Sequence, residues 1–117
     1  MGVDVRVAKY DVGPIRYYSL HAYLDGGHVG EAELEIQDLE GIYHGARETR
    51  RVCDMPRIFV PPEWRRNENR IGSRLLEEAK RIAEMERCDS SQTTKAPHTE
   101  PYAKFDEIVG RFGFQVL

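Results

Sequence analysis

No stretch of this sequence is apolar for long enough to cross a membrane, and no charged-then-apolar leader opens it. The expectation is a cytoplasmic protein with no membrane partner. Cysteine is scarce: Cys53 and Cys88 are the two, and they match no CxxC-type spacing. The histidines, His21, His28, His44 and His98, lack ligand spacing such as HExxH, so no metal is expected. Two free thiols in a reducing compartment follow from the same scarcity. There is no excess of positive charge either. The formal net charge is -3, which argues against general nucleic-acid affinity. Internal repeats and low-complexity tracts are also missing.

What is present suits one soluble domain. The 117 residues can build a single hydrophobic core but not two, with 40% hydrophobic and 32% charged residues. Val3, Val5 and Val7 alternate with Asp4 and Arg6, the period of a half-buried strand. A turn at Asp11 to Pro14 follows. Tyr18, Leu20, Ala22 and Leu24 then alternate against Tyr17, Ser19, His21 and Tyr23. After Asp25-Gly26-Gly27, the run Gly30, Ala32, Leu34 and Ile36 alternates against Glu31, Glu33 and Glu35. Two such runs about a glycine-rich turn predict a hairpin. Its closure sets His21 opposite Glu31 and Ser19 opposite Glu33. That face is either solvated, as antiparallel sheets often are, or a substrate-facing surface whose carboxylates hold an amine or its water.

Gln37 to Asp54 is polar and reads as a long loop or a ragged strand extension. Met55 to Val60 reads as a short apolar strand, with Pro56 tolerated near its start or an edge. Ile71, Leu75, Ala79, Ile82 and Ala83 then share a helical stripe. On its polar side, Arg74/Glu78, Glu77/Arg81 and Lys80/Glu84 stand at i,i+4. A short polar strand is expected around Gln92 to Lys95. Pro101 opens a second helix with Tyr102, Phe105, Ile108, Val109 and Phe112 on its apolar stripe, and Gly113 stops it. Phe114 to Leu117 closes the chain as a strand. The class is α/β, with a mixed, mostly antiparallel central sheet and two later helices.

The segment "VPPEWRRNENRIGSRLLEEAKRIAEMERC" (Val60 to Cys88) resembles the acetyl-CoA-binding segment of the GNAT superfamily of N-acetyltransferases. Val60, Pro62, Trp64 and Arg65 match the front of that motif. Ile71, Gly72, Ser73, Leu75 and Leu76 match the back. The ending "FDEIVGRFGFQVL" looks like the family's helix-Gly-Phe close, with Gly113-Phe114 as the pair. The resemblance implies a single GNAT-like domain over residues 1–117, acetyl-CoA as co-substrate, and transfer to an amine acceptor. It implies a pyrophosphate over the loop and helix start, on Arg65, Arg66, Asn67, Asn69, Arg70, Ile71, Gly72 and Ser73. Donated backbone amides and the helix dipole suit that anion. Ile58, Phe59 and Val60 would line the pantetheine. Glu31, Glu33 and Asp54 are candidate bases, and Tyr102 is a candidate acid, though its spacing is off by two helical turns and core packing explains it better.

Three departures stand out. The loop before Gly72 is two residues longer than the family's, with Arg70 in place of a glycine. Val109 occupies the position of the general-acid tyrosine. Only a short turn links the first two strands, where the family has helices. An acceptor cleft lacking those helices is open, which suits a protein or peptide amine, or a second subunit that closes it. The altered loop and Val109 favour an alternative, a catalytically inactive binding or regulatory module. A nucleic-acid reading based on Arg47 to Arg51 and Arg65 to Arg74 stands against the acidic balance.

Overall fold

Three two-residue turns shape the first half of the chain in the computed structural model, which describes residues 2–65, 68–94 and 105–117, the side chains of Phe105 and Asp106 excepted. β1 (Asp4–Val12) returns through Gly13 and Pro14 into β2 (Ile15–Leu24), and β2 through Asp25 and Gly26 into β3 (Gly27–Tyr43). β3 returns through His44 and Gly45 into β4 (Ala46–Phe59). Asp25 and Gly26 have φ of 51° and 83°, and His44 and Gly45 repeat the pattern at 52° and 83°. Two left-handed residues in succession suit a type I′ turn, whose twist matches the strands it joins.

A short 3₁₀ turn at Pro62–Trp64 leads to α1 (Ile71–Met85), β5 (Ser90–Thr93), α2 (described over Phe105–Arg111) and β6 (Gln115–Val116). The described strands make one sheet in the order β1-β2-β3-β4-β5-β6. The first four strands pair antiparallel, while β4–β5 and β5–β6 pair parallel. This is the mixed, mostly antiparallel sheet with two later helices that the sequence leads one to expect. The link from β1 to β2 is a tight turn without helices, also as expected.

α1 packs across β1 to β4. Its buried stripe, Ile71, Leu75, Leu76, Ala79, Ile82 and Ala83, meets Leu20, Ala22, Ala32, Leu34, Cys53 and Met55 from the sheet. Gly30 sets how closely they approach. A Cβ there would stand 3.1 Å from Ile71 Cγ2, 3.2 Å from Leu75 Cδ1 and 3.2 Å from the Phe59 carbonyl. Gly30→Ala therefore overpacks the helix-sheet contact and should cost about 1–3 kcal/mol of stability in urea unfolding. A variant as stable as the parent would mean that α1 does not sit this close.

Several expectations need correction. Gln37 to Asp54 is strand on both sides of His44-Gly45, not a loop, and the strand read as Met55 to Val60 begins at Ala46. Pro56 lies well inside β4, at an irregularity where Glu33 pairs with Arg57 but Glu35 pairs with Asp54. One β4 residue is thus extra, and a bulge is where a strand tolerates proline's missing N–H. On α1, Arg74 pairs with Glu77 at 2.7 Å and Arg81 with Glu78, both i,i+3. Lys80–Glu84 is the expected i,i+4 pair, at 3.9 Å. The polar strand expected at Gln92 to Lys95 is Ser90–Thr93, and Ile108, expected on the apolar stripe, is 37% exposed. Pro101 and Tyr102 lie outside the described residues.

Candidate functional site

β4 and β5 pair for only four rungs, from Val52↔Ser90 to Met55↔Thr93. Beyond Met55, β4 continues through Pro56, Arg57, Ile58 and Phe59 with β3 on one side. Its other edge has no strand partner among the described residues. The sheet thus opens at the β4 bulge and stays open to the chain's exit at Val60. An unpaired strand edge offers N–H and C=O groups to any extended, amide-bearing molecule. Ile58 and Val60 are partly buried against the core, while Phe59 is 39% exposed.

The opening ends at the N-terminus of α1. Arg70, the N-cap residue, adopts the left-handed conformation at φ 49°, ψ 54°. Among the described residues no side chain caps this end, and its first turn carries no acidic residue. Ile71, Gly72 and Ser73 therefore present N–H groups and the positive end of the helix dipole without an internal anion. Gly72 adds a second observation. It costs the helix roughly 0.5–1 kcal/mol relative to alanine, yet among the described residues a Cβ there would meet only Val60 Cγ2, at 3.9 Å. Packing against the described residues does not require glycine there, but close approach by a ligand would.

The left-handed backbone at this helix start falls on Arg70 and not on the neighbouring Asn69. A long side chain in this conformation stores strain of roughly 1–2 kcal/mol. Arg65 donates from Nε to the Val60 carbonyl at 2.7 Å, which ties the loop to the end of β4. Arg66 and Asn67 lie outside the described residues. Asn69 is half-buried and Ser73 half-buried beside the same helix end.

The candidate bases share the sheet face opposite α1. Cross-strand pairing sets Ser19 against Glu33 and His21 against Glu31, as the hairpin reading anticipates. Glu33 continues to Arg57, Glu31 to Phe59, and Glu35 to Asp54. Glu33, Glu35 and Asp54 thus surround the bulge where β4 and β5 part. Burial pushes the Asp54 carboxyl above its ordinary range, against a hydrogen bond from the Met55 N–H. Glu31 is held by Arg57 at 3.2 Å, which makes it the less available base. Tyr10 and Tyr17 stack at 5.2 Å on the same face.

The fold brings the two cysteines together. A hydrogen bond with Cys88 and burial push the Cys53 thiol up, and that bond from Cys53 holds the Cys88 thiol down. Cys53 is fully buried, so it cannot serve as an acyl carrier. Val109 is also buried in the core, at the place where the resembling family has its tyrosine. Tyr102 lies outside the described residues. Among the described residues no group of three potential ligands could hold a metal, and no helix is long and apolar enough to cross a membrane.

No protein-family model matches the sequence, and no curated protein matches it. Solved structures do. AAC(6')-Iy, in complex with the bisubstrate analog CoA-S-monomethyl-acetylneamine, matches with a TM-score of 0.62 at 20% identity, over 85% of this chain and 62% of that one. The aminoglycoside acetyltransferase meta-AAC0020, from an uncultured soil metagenomic sample and in complex with sisomicin, matches at 0.53 and 21% identity, over 74% and 51%. A transcriptional regulator from Bacillus halodurans C-125 matches at 0.59 and 18% identity, over 80% and 58%. This chain spans 62% of the first structure's length, and what it shares with all three is the fold.

Proposed function

On the premise of a GNAT acetyltransferase fold, we propose that this protein moves an acetyl group from acetyl-CoA to a cationic amine. The observation that carries the reading is the β4 edge that, among the described residues, has no strand partner past Met55 and leads to the uncapped start of α1. A diphosphate fits the N–H groups of Ile71, Gly72 and Ser73. From there the pantetheine arm follows the free edge at Val60, Phe59 and Ile58. Four unpaired residues give it about 13 Å of strand. The thioester then arrives at the bulge, where β5 closes the gap and Asp54, Glu33 and Glu35 surround it.

The chemistry asks little more of the chain. Carboxylates hold the acceptor as an ammonium, and Asp54 takes one proton from it. The freed nitrogen pair attacks the thioester carbonyl, the C–S bond breaks, and CoA leaves as a thiolate that takes up a proton. Holding the two reactants together supplies much of the rate. Asp54 is the favoured base because burial raises its basicity towards the working pH.

The carboxylates on this face suit an acceptor with more than one positive charge. Aminoglycosides, the class for which the matched acetyltransferase meta-AAC0020 is named, are one such class. A lysine-bearing peptide is another, which the open face between β1 and β4 would admit, and a second copy of the chain could cover the same opening. The test is thiol release from acetyl-CoA with a panel of a polyamine, an aminoglycoside, a lysine-rich peptide and a simple monoamine. Polycationic acceptors should react faster than the monoamine. Binding of acetyl-CoA without thiol release for any amine would favour the inactive binding module, which Val109 already makes the second reading.

A further inference from the structure

Two anchors hold Cys88 beside β4. The first is the close of α1. The Arg87 N–H donates to the Glu84 carbonyl and the Cys88 N–H to the Ala83 carbonyl, each at 3.0 Å, and Arg87 takes the left-handed φ of 57°. These bonds make a Schellman close, in which the residue after the left-handed one packs back on the helix and core. Cys88 does so, half-buried against the cluster that contains Cys53. The second anchor is the next residue. The Asp89 N–H donates to the Arg51 carbonyl at 2.7 Å, and the Arg51 N–H donates to Asp89 Oδ2 at 2.8 Å. Pinned on both sides, Cys88 meets the fully buried Cys53, whose S–H donates to its sulfur. Cys53 lies one residue before Asp54 on β4.

We propose that Cys88 and Cys53 form a thiol–disulfide exchange site for small-molecule disulfides, with Cys88 as the entry thiol and Cys53 as the resolving one. In the first step the Cys88 thiolate attacks one sulfur of a disulfide RSSR. A bond from Cys88 Sγ to that sulfur forms, the reagent's S–S bond breaks, and a thiolate RS⁻ leaves. In the second step Cys53 gives up its proton and its sulfur attacks Cys88 Sγ. The Cys53–Cys88 bond forms, the bond from Cys88 to the reagent breaks, and a second RS⁻ leaves. The two protein thiol protons end on the two departing thiolates. Two electrons have then passed from the protein to the reagent, and an added dithiol runs the same steps backwards.

The surroundings divide the roles. Only a thiolate attacks a disulfide, and the reagent must be able to reach it. Cys53 meets neither condition, since its bond to Cys88 and its burial push the thiol up. Cys88 keeps some exposed surface. The Cys53 S–H holds its thiol down, helped by the Arg51 guanidinium, against burial and the Glu86 and Asp89 carboxylates. Arg51 is fixed there by Asp38 at 2.8 Å and by the Glu86 carbonyl at 2.8 Å. Once Cys88 carries the reagent's sulfur, it is no longer a thiolate that retains the Cys53 proton. The largest cause of the Cys53 upshift is thus removed at the step that needs Cys53 ionised. The bond that results ties the close of α1 to β4 beside Asp54. It stands apart from acetyl transfer and does not depend on that reading.

Native protein incubated with oxidised glutathione tests the pair, read by intact mass and peptide mapping. The wild type should lose two hydrogens and yield a peptide cross-linked between Cys53 and Cys88, and dithiothreitol should restore both thiols. Cys53→Ala should stop at one glutathione on Cys88. Cys88→Ala should react at least about a hundredfold more slowly than the wild type, because the thiol that remains is buried. A wild type that keeps both thiols free, or that stops at a glutathione adduct, would overturn the proposal. So would a folded Cys88→Ala protein that reacts at Cys53 as fast as the wild type. The wild-type result decides by itself if either alanine variant fails to fold. No readout here involves acetyl-CoA, so a failed exchange leaves the acetyltransferase reading untouched.

Discussion

Gly72→Glu should weaken acetyl-CoA binding by at least about a hundredfold, roughly 2.7 kcal/mol, in a protein that still folds. The position is the second residue of α1, where N–H groups point out of an uncapped helix end. A glutamate there brings its own anion to those groups and to the dipole, and it blocks the approach of a diphosphate. Folding is spared because the Cβ site is roomy: among the described residues only Val60 Cγ2 lies within 4 Å, at 3.9 Å. An acidic residue in the first helical turn is itself mildly favourable. Gly72→Ala separates bulk from charge. It should raise stability by about 0.5–1 kcal/mol, because alanine loses less backbone entropy in a helix, while still weakening the cofactor. Calorimetric titration of the three proteins, paired with thermal unfolding, reads both effects. Unchanged affinity in Gly72→Glu would place the diphosphate elsewhere.

The second large effect concerns Asp54. Asp54→Asn should lower kcat for acetyl transfer by about a hundredfold, the low end for loss of a general base. Because burial holds this carboxyl above its usual range, the acid limb of the wild-type pH profile should lie above that of an ordinary aspartate and disappear in the variant. Stability should move the other way. A carboxylate whose folded pKa is raised carries a penalty that is absent below its unfolded pKa and complete above its folded one. At neutral pH the asparagine variant escapes that penalty and should be no less stable than the parent. A variant that keeps its rate would shift the role of base to Glu33 or Glu35. A rate loss accompanied by unfolding would assign Asp54 a structural role.

The parts of the fold that read clearly from sequence are those with one face buried and one face wet. The β2–β3 hairpin alternates with period two because Leu20, Ala22, Ala32 and Leu34 are fully buried beneath α1 while Ser19, His21, Glu31 and Glu33 face outward. Its register follows from the same alternation and an Asp-Gly turn. α1 reads equally well, since its stripe packs on that hairpin. The far end of the β3–β4 hairpin does not. Leu39 and Ile42 there are 42% and 77% exposed, so neither face is buried and no alternation is imprinted. Side-chain pairs hold that end instead: Arg47 with Glu40 at 2.8 Å, Arg51 with Asp38 at 2.8 Å, and Arg50 over the Tyr43 ring at 4.1 Å. Such cross-strand pairs are visible only once the register is known.

The site divides along the same line. The strand and helix start of the proposed cradle were legible because they lie close together in the chain, from Ile58 to Ser73. The acceptor face was half legible, since Glu31 and Glu33 belong to the clear hairpin. Its link to Asp54 depends on the β4 bulge, which a single proline inside an apolar run only hints at.

The account rests most heavily on one claim: that the unpaired β4 edge and the bare start of α1 form a cradle for acetyl-CoA. Titration calorimetry of the wild-type protein with acetyl-CoA tests it directly. Saturable binding at one site per chain, weakening as salt rises because the diphosphate is held by exposed N–H groups and cations, is the predicted result. A folded protein that takes up no acetyl-CoA at any accessible concentration would contradict it, and would leave this GNAT fold as a module that binds something else.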